Sequence, residues 1–186
     1  MTELSRINKS KIKNISSTTR WGRRWHRIIS ITVAIILLIS SITGILLSWK
    51  KNIDLIQPET VIGIDQNISN WKPVTEIAYI AMHALDSLDI DGQQIDRLDF
   101  RPEKGMVKVL FSKGYWEVQV DCSTGEILSV QRRYSDLIEK IHDGSIISDG
   151  FKLVTMNTFG FGLLFLISTG FLLWYGPRRI RKLKSI

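Results

Sequence analysis

In a chain of 186 residues with three histidines and one cysteine, ligand or metal chemistry has few places to sit. His26 stands in "RRWHRIIS", between a cluster of arginines and a long apolar run. An imidazole there could ligate a metal or a haem iron, or could simply mark where the chain enters a bilayer. His142 stands in "IHDGS", ahead of a second apolar run. His83 shares a helix side with Glu76 and Tyr79, opposite Val74 and Ala81, which reads as a solvent-facing position. Cys122 is alone, so it can neither pair within the chain nor build a multi-thiolate metal site. Asp86, Asp89, Asp91, Asp96 and Asp99 have the oxygen density of a calcium loop without EF-hand spacing, and read as a solvated loop. There is no HExxH helix, nucleophile elbow, glycine-rich phosphate loop or dinucleotide fingerprint. A catalyst is therefore the less expected reading, and no residue is assigned a catalytic role.

The elements that must position these residues are dominated by two uncharged runs, 28–48 and 153–175. As helices rising about 1.5 Å per residue they reach roughly 30 to 35 Å, enough to cross a hydrocarbon core of about 30 Å. Trp25 and Trp49 flank the first run and Trp174 and Tyr175 close the second, where amphipathic rings favour the interface. Lys50, Lys51 and Lys152 supply charged stops. The first run is long for a signal peptide and "SITGILLSWKK" lacks a small-x-small cleavage site, so an uncleaved anchor is expected.

Charge then sets the expected orientation. Residues 1–27 carry eight basic residues against Glu3, and 176–186 carry five with no acid, whereas 50–152 has 12 basic and 17 acidic residues. Both ends are expected on the cytoplasmic side. The overall charge of +7 thus belongs to the tails. Anionic lipid explains it, and nucleic acid is not an expected partner. The expected organisation is a basic cytoplasmic segment (1–27), a first span (28–48), an exterior domain with linkers (49–152), a second span (153–175) and a basic tail (176–186).

Within the exterior segment, Val74, Ile77, Ala78, Ala81, Leu85 and Leu88 recur at helical spacing after Pro73, and Gly92 marks the stop near "DIDGQ". The period then falls to two. Val107, Val109 and Phe111 alternate with Lys108, Leu110 and Ser112, and Trp116, Val118 and Val120 alternate with Glu117 and Gln119. Adding "QIDRLDF" before and "EILSVQ" after gives a helix on an antiparallel meander, a small α+β layer with one wet face. Lys108, Tyr115, Glu117 and Gln119 would be exposed on that face and are its candidate binding residues.

The order helix, three strands, "VDCSTGEIL" and a last strand resembles a PepSY domain. The frame, with "RWHRIISI" and "SSITGILLSWKK" in the first span, "IHDGS" before the second and "STGFLLWYGPRR" at its end, resembles the PepSY-associated transmembrane proteins of bacteria over about residues 20–180. That resemblance implies an inner-membrane protein whose periplasmic PepSY-like module binds or regulates, with a peptidase or an iron-uptake component as a possible protein partner. Some larger relatives resemble haem-carrying ferric-siderophore reductases, with histidines near the helix ends as ligands. His26 and His142 match such positions, which makes haem b the implied cofactor of this alternative reading. They are expected on opposite sides of the bilayer, so a haem would need a second copy of the chain. A homodimer has a further basis in stripes of mostly small residues: His26, Ser30, Ala34, Leu37, Ser41, Gly44 and Ser48 in the first span, and Thr155, Thr158, Gly162, Phe165, Thr169, Leu172 and Gly176 in the second. Packing of the two stripes on each other within one chain is the simpler reading, with the homodimer as its alternative.

Overall fold

Contacts at seven-residue intervals organise the first part of the molecule, seen in a computed structural model that describes residues 3–90 and 92–185. Helix α1 runs Glu3–Ser48 without a break, because the lysines and arginines ahead of the apolar run are good helix formers. Helix α4 runs Asp149–Lys184, opened by Ser148, whose side chain accepts from the Phe151 N–H, and closed over Arg181, Lys182 and Lys184, which complement its C-terminal dipole. Both are long and apolar enough to cross a membrane.

The chain divides into two compact units, Met1–Ile42 with Ile141–Ile186, and Thr43–Lys140. In the first, α1 and α4 pack antiparallel. Thr19 lies against Gly176, His26 against Thr169 and Val33 against Gly162, so each seven residues forward on α1 are answered by seven back on α4. That 3.5-residue period is the signature of a left-handed helix pair. The glycines are notches: a Cβ on Gly22 would lie 2.6 Å from Leu172 and one on Gly176 2.6 Å from the Thr19 hydroxyl, and one on Gly162 would collide with Val33. The expected stripe of α4 is therefore in phase. That of α1 is corrected: it begins properly at His26, but two successive steps of four carry it off the heptad, and Ala34, Leu37, Ser41 and Ser48 are exposed.

The second unit is α+β. Helix α2 (Val74–Asp86) leads into strands β1 (Ile95–Arg101), β2 (Met106–Phe111), β3 (Trp116–Asp121) and β4 (Ile127–Arg132), an antiparallel sheet in sequential order. Ile77, Ala81, Ala84 and Leu85 of α2 bury against Val107, Val109, Phe111, Val118, Val120 and Cys122. Val74 and Leu88, expected on this face, are exposed at its ends. The β1–β2 turn passes through Gly105 at φ +63°, and a Cβ there would lie 2.6 Å from the Asp65 carbonyl.

The expectation of a wet second face is overturned. Lys108, Glu117 and Gln119 are each at most 2% exposed, and Tyr115 is half-buried. Residues 59–64 cross that face as a strap held by side chains: Val61 N–H donates to Gln119 Oε1 (2.9 Å), Gln119 Nε2 donates to the Glu59 carbonyl (2.8 Å), and Ile64 N–H donates to Asp121 Oδ2 (2.6 Å). Period-two patterning separates apolar from polar faces but does not separate a solvated polar face from one buried under another segment that hydrogen-bonds to it. A further helix, α3 (Tyr134–Asp143), was not among the expected elements, although Tyr134, Leu137, Ile138 and Ile141 recur at helical spacing, and His142 lies in it.

Candidate functional site

Strand β3 places Val118 and Val120 in the core and Glu117, Gln119 and Asp121 on the opposite face, where β2 adds Lys108. These residues form one polar lattice. Glu117 Oε1 accepts from Lys108 Nζ (2.9 Å) and Gln119 Nε2 (2.8 Å), and Glu117 Oε2 accepts from Arg133 (3.2 Å), which also pairs with Asp136 (2.8 Å). A buried carboxylate survives only with such partners. Asp121 is gripped harder: one oxygen accepts from Ser123 N–H (2.8 Å), the Ser123 hydroxyl (2.7 Å) and Thr124 N–H (2.9 Å), the other from Ile64 N–H. Burial alone would raise its pKa, but these donors outweigh burial and hold it down at about 2. The Asp-x-Ser/Thr run of "DCST" is an Asx-turn signal that sequence reading passed over.

Beside the strap and the β1–β2 turn lies a cleft of about 390 Å³ whose walls are mostly polar; Lys51, Arg101, Lys104 and Lys108 line it together with Glu59 and Glu103. No single-sequence pattern marks it, because its residues come from four separate segments.

The candidates read from sequence are scattered. His26 is half-buried, and its Nδ1 lies 2.7 Å from Thr169 Oγ1. The Thr169 hydroxyl donates to the Phe165 carbonyl (2.8 Å), which leaves its oxygen able to accept from His26 Nδ1. The His142 carbonyl accepts from the Ser40 hydroxyl (3.3 Å). Ser40 is fourteen positions beyond His26 on α1, about 21 Å at 1.5 Å per residue. The two histidines are not brought together, and one chain does not offer them as the two axial ligands of one haem. His83 is exposed, its ring 6.1 Å from Tyr79. Cys122 is fully buried, and burial, with Asp121 adding to it, pushes its thiol up to about 11, an unreactive setting. Asp96 and Asp99 are occupied by Arg97 and Arg101, and Asp91 lies outside the described residues. Among the described residues no three His, Cys, Asp or Glu side chains gather as a metal site.

Two helices fit to cross a membrane, joined through a four-stranded antiparallel α+β unit, define the class: this is a membrane protein. The chain belongs to the PepSY-associated TM region family, whose model matches residues 23–185. No curated protein matches it significantly.

Proposed function

We propose that the Thr43–Lys140 unit is a PepSY-like, non-catalytic binding module that the two spans of a bacterial inner-membrane protein hold in the periplasm, with both basic ends cytoplasmic. The orientation rests on the charge asymmetry, +7 and +5 on the flanks against −5 between them. The binding role rests on one observation, the contrast between the two edges of the sheet. β1 is blunted by charge, with Asp96, Arg97, Asp99 and Arg101 within seven residues. β4 presents Ile127, Leu128, Ser129, Val130 and Gln131 without a charge until Arg132, and Ile127 is 43% exposed. An uncharged open edge is the surface to which an extended polypeptide adds as a further strand, main chain to main chain. The partner is thus an extended segment of another periplasmic protein, which the module restrains or recruits.

The test places a photo-crosslinking amino acid at Ser129 and at Asp96 in the full chain in cells. Crosslinks to a discrete partner from position 129 and not from 96, abolished by Gln131→Lys, are expected. Equal crosslinking from the two edges, or none from 129, refutes the edge reading. Alkaline phosphatase fused after Lys113 tests the orientation, since it is active only outside the cytoplasm.

A further inference from the structure

We propose that the cleft between the strap and the β1–β2 turn binds a phosphoryl group. The observation that carries this is Lys108. Its side chain is 2% exposed, it lines the cleft, and its ammonium has three protons but a single protein acceptor among the described residues, Glu117 Oε1. Its two remaining donors are thus available to an oxygen-rich group in the cleft, where a buried ammonium is best matched by charged oxygens. The neighbouring cations supply the rest of such a site. Arg101 pairs with Asp99, which leaves its guanidinium further donors, and Lys51 and Lys104 form no ion pair among the described residues. Gln57, also on the wall, has its amide oxygen buried without a protein partner, an acceptor that calls for a hydroxyl or ammonium donor on the ligand beside the phosphoryl oxygens. Four cations around one small polar cleft suit a tetrahedral oxyanion better than a single carboxylate. Glu59 and Glu103 oppose an anion without donors, and suit a phosphoryl group that offers them, through the protons of hydrogen phosphate or hydroxyl or ammonium groups on its other substituent.

Two sources present this chemistry: a phospholipid headgroup, made plausible because Lys51 lies three residues past the end of α1, and a soluble phosphate or phosphate ester. The full chain in an uncharged maltoside detergent is titrated with inorganic phosphate against chloride at matched ionic strength, and separately with a short-chain phosphatidylglycerol against diacylglycerol of equal chain length. The readout is the unfolding temperature, which a ligand of the native state raises saturably. A saturable rise with phosphate identifies a soluble ligand, and a rise with the phospholipid alone identifies a headgroup. In either case Lys51→Gln combined with Lys104→Gln, both at the cleft rim, raises the half-saturating concentration at least tenfold, whereas Lys184→Gln leaves it unchanged. No saturable rise from either source, or an unchanged half-saturation in the double variant, overturns the assignment.

Discussion

Replacing Asp121 with Asn tests whether the strap is held by charge or merely by shape. The carboxylate is fully buried, accepts four hydrogen bonds and donates none. An amide of the same size must turn one NH₂ toward donors, so either Ile64 N–H or the Ser123–Thr124 pair loses its acceptor. Charge-assisted bonds contribute about 1.5 to 3 kcal/mol each, and the exposed backbone at Ile64 and Thr124 recovers part of that from water, leaving a net loss of about 2 to 3 kcal/mol. The pH dependence gives an independent figure. Asp121 titrates at about 2 in the folded protein against 3.8 for the free group. A depressed carboxylate stabilises the fold fully above its unfolded value and loses that contribution as pH falls through the folded one. The shift corresponds to about 2 kcal/mol, present at pH 6 and withdrawn between about pH 4 and pH 2. The assay is unfolding of the full chain in detergent, followed by tryptophan fluorescence at pH 6 and at steps down to pH 2.5. Wild type should lose stability steeply over the lower range, and Asp121→Asn should start lower and fall less. Amide hydrogen exchange should show Val61, Gly63 and Ile64 losing protection in the variant. A variant as stable as wild type at pH 6, or with the same acid limb, would refute the account.

Gly162→Leu should separate α1 from α4 and lower the unfolding temperature by several degrees, while Gly160→Leu, where nothing lies within 4 Å, should not; equal effects would sink the heptad register. Glu117→Gln should cost about 3 to 5 kcal/mol by stranding Lys108 and Arg133, whereas Lys108→Met with Glu117→Met should recover much of it; chemical denaturation of the three proteins decides. The reduced-minus-oxidised spectrum of protein made with haem supplied should lack a b-type band, and a band lost in His26→Ala or His142→Ala would instead support a haem held between two copies of the chain. Native Cys122 should resist thiol reagents at pH 8 in the folded protein and react once it is unfolded.

Composition and periodicity made the elements legible where burial follows apolarity. The two apolar runs read correctly as long helices because they carry no charge over their length, and the Ile77–Ala81–Leu85 face and the alternation of Val107, Val109, Val118 and Val120 because each buries hydrocarbon. The polar interior did not. Glu117 and Gln119 look like wet-face residues in sequence, and only the arrival of residues 59–64, from some sixty positions away, turns them into the anchor of a strap. α3 was legible in the spacing of Tyr134, Leu137, Ile138 and Ile141 and was passed over as a short segment beside a much longer apolar run. The spacing of the helix stripes was legible in α4 and misread in α1, where Ser30 and Ala34 are small but only the first is half-buried, and bulky Val33 is the residue that fills the notch at Gly162.

The glycine notches have a mechanical meaning. Thr19 in Gly176 and Val33 in Gly162 are two pegs two heptads apart on one rod. Sliding α1 by a single residue along α4 would lift both from their holes at once and press them on side chains instead. Such a pair has one register and no neighbouring one to fall into, so it cannot act as a ratchet. Motion between the two ends of this helix pair is therefore motion of α1 and α4 as one piece, and not of one helix shifting past the other.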